Sequence, residues 1–253
     1  DFGLPAGAKF VCFTIRDSAY LDRHVEKENY PSRNWKYHNF RDGDIDKYVL
    51  AAEELARRGY YVFRMGVKVL KPFKSANPKI IDYANSKMRS DFMDIYLGAK
   101  CNFCISTDTG IDQIPRIFQK PIAYIFVPLG FPYVCNKNNL LITKHHIHKE
   151  KNKKLNLSEI FSQNFSLCFN GEEFERNKIE LQENSPNEIR DLAIEMDERL
   201  NDNWNETDND KNMQRLFWTK FKTAIEFNKY HGFIHPDARL GANFLRQNYE
   251  WFL

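Results

Sequence analysis

Apolar and polar positions follow two rhythms along the first half of the chain. Lys9 to Ile15 (KFVCFTI) is a short, nearly all-apolar run, the pattern of a central strand buried on both faces. Asp44 to Arg58 then places Ile45, Tyr48, Val49, Ala52, Leu55 and Ala56 at helical spacing, and Gly59 ends that helix. Tyr60 to Arg64 (YYVFR) predicts a second strand, Lys79 to Tyr83 a short third, Ser90 to Leu97 a helix closed by Gly98, and Cys101 to Ser106 a fourth strand. A short helix over Gly110 to Phe118 precedes a fifth buried strand at Pro121 to Val127 (PIAYIFV). The alternation predicts an α/β fold, a Rossmann-like parallel sheet flanked by helices.

From about Pro128 the texture changes. A loop rich in Pro, Asn, Lys and His leads to helical patterns at Leu157 to Gln163, Ser185 to Leu200, Asp210 to Asn228 and Pro236 to Trp251. Ser185-Pro186-Asn187-Glu188 combines a serine cap, a proline in the first turn and a capping-box glutamate, and Asn201 to Asn212 reads as a surface loop. The expected organisation is a nucleotide-binding domain over residues 1–135 and a mostly helical extension over 136–253 packing on it. Because the sequence starts at Asp1 and runs almost directly into a strand, a further amino-terminal domain is expected.

Composition narrows the function classes. The 253 residues carry 37 basic and 34 acidic side chains, a formal net charge of +3, too small an imbalance for a nucleic-acid surface. The longest apolar stretch, Ile122 to Phe131, is too short to span a bilayer, so a cytoplasmic protein with at most peripheral association at the inner face of a membrane is expected. Five cysteines, mostly in apolar runs, argue for a reducing compartment, and Cys101 and Cys104 lie within a strand rather than in a redox motif. Neither a GxGxxG after the first strand nor a Walker A sequence occurs. His145, His146 and His148 lie in a lysine-rich stretch without nearby carboxylates, and no metal site is expected there.

In an open parallel sheet, ligands sit beyond the carboxyl ends of the strands. Ser106-Thr107-Asp108-Thr109-Gly110 leads from a strand into a helix, where hydroxyls, backbone N–H groups and the dipole suit a phosphate; the same residues also serve as ordinary helix caps. Arg16, leaving the central strand beside Asp17, Ser18 and Tyr20, can bind a diphosphate bidentately or form a structural ion pair with Asp17. Tyr37-His38-Asn39-Phe40-Arg41-Asp42 is either a polar wall for a sugar or acceptor, with His38 or Asp42 taking a proton, or simply the approach to a helix.

These loops, with Gly241-Ala242-Asn243-Phe244-Leu245, resemble a family of bacterial glycosyltransferases associated with surface-polysaccharide loci, over nearly the whole chain. A strand ending in arginine, and a Ser/Thr-Gly helix start before Lys120-Pro121, are also distantly similar to the donor half of GT-B enzymes, including fucosyltransferase-like ones. The resemblance implies two facing Rossmann-like domains, the carboxyl-terminal one holding a nucleotide-sugar donor, and a glycan or lipid-linked acceptor. No cofactor and no obligatory metal are implied. Carried onto this chain, Arg16, Asp108 and His38 are the expected catalytic residues. Asp17, Ser18, Tyr20, Asn39, Arg41, Asp42, Ser106, Thr107, Thr109 and Gly110 would bind substrate, with Arg64 and Gly66 on the nucleoside side. The chain departs from that pattern in showing one Rossmann unit, so a non-catalytic module that binds a nucleotide or phosphosugar is the alternative.

Overall fold

A computed structural model describes residues 2–22, 35–126, 134, 136–223 and 234–252. The short apolar runs form β1 (Phe10–Thr14), β2 (Tyr61–Arg64), β3 (Ile80–Ile81), β4 (Phe103–Ser106), β5 (Ile122–Phe126) and β6 (Leu140–Thr143). Every residue of β4, β5 and β6 is buried, as strands covered on both faces must be. A small antiparallel sheet follows, from β7 (His145–His148), β8 (Lys153–Lys154) and β9 (Ile179–Gln182), and β10 (Arg239–Leu240) returns to the main sheet. The main sheet is parallel, in the order β10-β6-β5-β4-β1-β2-β3. Its first six strands follow the Rossmann order, and the chain reverses direction across the sheet between β1 and β4.

Helices cover the sheet: α1 (Val49–Arg57), α2 (Asp91–Lys100), α3 (Gln113–Ile117), α4 (Leu157–Ser162), α5 (Gly171–Arg176), α6 (Pro186–Leu200), α7 (Asp208–Thr223) and α8 (Ala242–Gln247). A turn of 3-10 helix at Ile45–Tyr48, capped by the Asp44 side chain, leads into α1, and Gly59 leaves that helix with φ +99°. The Ser185 capping box opens α6 as its sequence predicts.

Several expectations need correction. The helix expected to close at Gly98 runs on to Lys100, because Gly98 serves packing: a Cβ there would lie 2.8 Å from Ile114 Cγ2. The expected run Pro236 to Trp251 is not one helix. Its start forms β10, and Gly241 N–H donates to Leu141 O before α8 begins, since the edge of β6 offers hydrogen bonds that a helix would forgo. α7 starts at Asp208, inside the stretch expected as loop, with Thr207 and Asp210 exchanging cap hydrogen bonds; its expected end at Asn228 lies outside the described residues. Residues 136–253 are not only helical, because β6 and β10 extend the main sheet across the boundary expected at 135.

Candidate functional site

β1 and β4 pair in register, Thr14 opposite Ser106, so the loops that leave them start side by side. The Arg16 backbone N–H donates to Thr107 Oγ1 at 2.8 Å, tying one loop to the other, and Gly43 N–H donates to Arg16 O at 2.9 Å, tying in a third. A cavity of about 760 Å³ opens over this junction. Of the residues expected at a site, Arg16, Asp17, Tyr20, His38, Arg41, Gly66, Asp108, Thr109 and Gly110 line it.

Arg16 is buried, and its guanidinium faces the Asp42 carboxylate. Burial and the nearby Arg41 lower its pKa to about 10, which still leaves it charged at neutral pH. Arg41 Nη2 lies 3.3 Å from His38 Nδ1, where the guanidinium can only donate, so neutral His38 carries its proton on Nε2. Asp108 adopts φ +59°, and Arg41 and Arg116 approach it at 3.9 and 3.7 Å. Burial raises its pKa against the pull of both arginines.

Asp112, fully buried, holds the turn before α3 from behind. It accepts from Ser106 Oγ at 2.5 Å and from Thr109 N–H at 3.0 Å, and burial pushes its carboxyl up to about 6. Ser106 and Thr107 are therefore internal struts of the turn rather than lining residues. At Gly110 nothing within 4 Å would meet a Cβ, so a ligand can approach the backbone.

Arg64 departs from expectation. It is 1% exposed and does not line the cavity, with Nη2 3.3 Å from Asp17 and Nη1 3.5 Å from both Asp82 and the Lys71 carbonyl. Two carboxylates under the second strand's end make it a buried structural cation rather than a nucleoside contact. Asp17 is correspondingly occupied, accepting from Ala19 and Leu70 N–H groups as well as Arg64. Ser18, Asn39 and Asp42 lie outside the lining, although Asp42 backs Arg16.

Lining residues that sequence reasoning missed include Lys68, Arg89 and Asp94, and the apolar Val67, Val69, Ile95, Ile111 and Ile114. Arg89 Nη2 donates to Asp94 at 2.8 Å. No motif marks them: Val67, Lys68 and Val69 follow β2 in an irregular loop, Arg89 precedes α2, and Asp94 and Ile95 reach the rim from α2 itself.

No family model, curated protein or solved structure matches the chain. The histidine run forms β7: His145 pairs with Glu188 at 2.9 Å and stacks on Phe244, while His146 is fully buried. Among the described residues no three His, Cys, Asp or Glu side chains gather as a metal site, and no helix is long and apolar enough to cross a membrane.

Proposed function

We propose that the chain binds a nucleoside-diphosphate sugar in the cavity over β1 and β4 and acts as a glycosyltransferase. What supports this reading is one observation: Arg16 and the Asp108–Gly110 turn line the same cavity, at the point where the strand order reverses. In this reading the diphosphate lies against Arg16, Arg41 and the Gly110 backbone N–H, the Asp108 and Thr109 N–H groups being taken by Ser106 and Asp112. As the bond from the sugar to the diphosphate breaks, those cations stabilise the charge left on the departing group. An acceptor hydroxyl from a glycan or lipid-linked sugar forms the new bond, and Asp108, whose pKa burial raises, takes its proton. His38, with its proton on Nε2, donates to the donor or acceptor.

Calorimetry with UDP, GDP, CMP and TDP tests the binding step. One of them should bind, and Arg16→Ala should weaken it at least tenfold; absence of binding by all four would sink the reading. A second reading, a non-catalytic module for a nucleotide or phosphosugar, is favoured by the presence of only one Rossmann-like sheet among the described residues. Donor hydrolysis or transfer, measured with the bound nucleotide's sugar conjugates, separates the two.

A further inference from the structure

Lys144 follows β6, two strands beyond β4, and does not line the cavity. It is nonetheless 4% exposed, an unusual place for an ammonium group. Its Nζ donates to the Phe40 carbonyl at 3.1 Å and to the Asp42 carbonyl. Among the described residues no carboxylate forms an ion pair with it. The charged groups around it are Glu183 from the segment before α6, Lys47 from the turn before α1, and Arg16, with Asp42 beyond. Glu183 is itself engaged, by Asp44 N–H at 3.0 Å and by Lys47 at 3.7 Å.

We propose that Lys144 is a positioning residue, a buried ammonium that latches the loop bearing His38, Arg41 and Asp42 onto the carboxyl end of the sheet. That loop is a 3-10 turn over Lys36–Arg41, with no buried residue of its own to anchor it. Its other fixed points are the bond from Gly43 N–H to Arg16 O, the ion pair of Asp42 with Arg16, the approach of Arg41 to Asp108, and the packing of Phe40 on Phe174. Without Lys144, the Phe40 and Asp42 carbonyls lose their donor, and the loop's backbone keeps its hydrogen bond from Gly43 to Arg16 beside the Asp42 ion pair. Burial, with Lys47 and Arg16 nearby and Glu183 opposing, lowers the amine's pKa to about 8. The latch is thus charged at neutral pH; just above it the neutral amine keeps two N–H donors for the two carbonyls but loses the charge that strengthens both bonds.

The importance of the latch for ligand binding rests on the reading under Proposed function; the latch itself does not. Hydrogen–deuterium exchange of the ligand-free protein tests it directly, with the amides of Asp42 and Gly43 as reporters. Lys144→Met should raise exchange across residues 37–43 more than tenfold at pH 7 while β1 and β4 stay protected, and Lys144→Arg should restore most of the protection. Equal exchange in Lys144→Met and the parent overturns the proposal. Should Lys144→Met not fold, the parent alone decides: exchange of 37–43, corrected for its intrinsic pH dependence, should rise between pH 7 and 9.5 relative to β4. A flat ratio overturns the proposal.

Inorganic diphosphate supplies the link to function. Its affinity should fall at least fivefold in Lys144→Met at pH 7, and the parent's decline between pH 7 and 9 should flatten. If the parent binds no diphosphate, the ligand reading fails while the exchange result still judges the latch.

Discussion

Two arginines leave adjacent parallel strands, two positions past the end of β1 and at the last position of β2, and both are buried. They differ in what surrounds them. Arg64 is enclosed by Asp17, Asp82 and a backbone carbonyl, whereas Arg16 makes one ion pair, with Asp42, feels Asp17 and Asp22 at longer range, and is crowded by Arg41. A buried cation whose charge is matched by two carboxylates holds a structure together, while one with a single anionic partner and a cationic neighbour is suited to a further anion. Sequence position alone would have given both the same role.

The same contrast separates the carboxyl groups. Around the cavity, burial raises Asp108 and Asp112. Away from it, Glu188 is held down at about 2 because, against its burial, His145 and the Ser185 cap stabilise the charged form. Burial raises Glu195 on α6 as well, away from the cavity, so what decides the direction is how far the partners of each carboxyl offset its burial.

The largest effect that would break the arginine comparison is on stability. Arg64→Met strands two carboxylates beneath the sheet and should cost about 3–5 kcal/mol in denaturant unfolding. Arg16→Met removes a poorly compensated charge and should cost less than about 1 kcal/mol. Equal losses would mean that both arginines are structural. The reverse order should hold for ligand: Arg16→Met should weaken the bound nucleoside diphosphate about thirtyfold by calorimetry, roughly 2 kcal/mol.

The carboxyl comparison predicts opposite pH dependences. Glu188 has a folded pKa below its unfolded one, so its stabilisation is full above pH 4.5 and is lost as pH falls through about 2. Glu188→Gln should therefore cost about 1–2 kcal/mol at pH 7, after allowance for solvent screening, and progressively less below pH 4.5. Asp112 has the opposite sign, with a folded pKa of about 6 above its unfolded value of 3.8. Its ionisation opposes folding, so Asp112→Asn should be tolerated best at pH 7, and its advantage should shrink as pH falls from 6 toward 4. Thermal melts of both variants from pH 3 to 8 check the signs.

The smallest stability effect concerns glycine. Gly110→Ala meets nothing within 4 Å and should change stability by less than about 0.5 kcal/mol, while obstructing a phosphate's approach and lowering its affinity. Gly98→Ala, pressed on Ile114 and Pro115, should cost about 1–3 kcal/mol with no effect on affinity beyond that.

How far the molecule was legible in its sequence depended on range. Runs such as FVCFT and IAYIF, and the Ser185 capping box, announce themselves because strand burial and helix capping act within a few residues. The apolar run Leu140–Thr143 was obscured by its polar, proline-containing surroundings. β10 is two residues long, and only the waiting edge of β6 makes it a strand.

What the sequence by itself determined is the alternation of strands and helices, and with it a Rossmann-like parallel sheet. The tertiary structure alone decided which arginine faces the cavity, that Lys68, Arg89 and Asp94 join it, and that Lys144 holds a loop about a hundred residues earlier in the chain. Local pattern dictates backbone geometry, since propensity and burial are read residue by residue. A charge acquires its role from its partners, and partners distant in sequence meet only once the sheet has set the order of its strands.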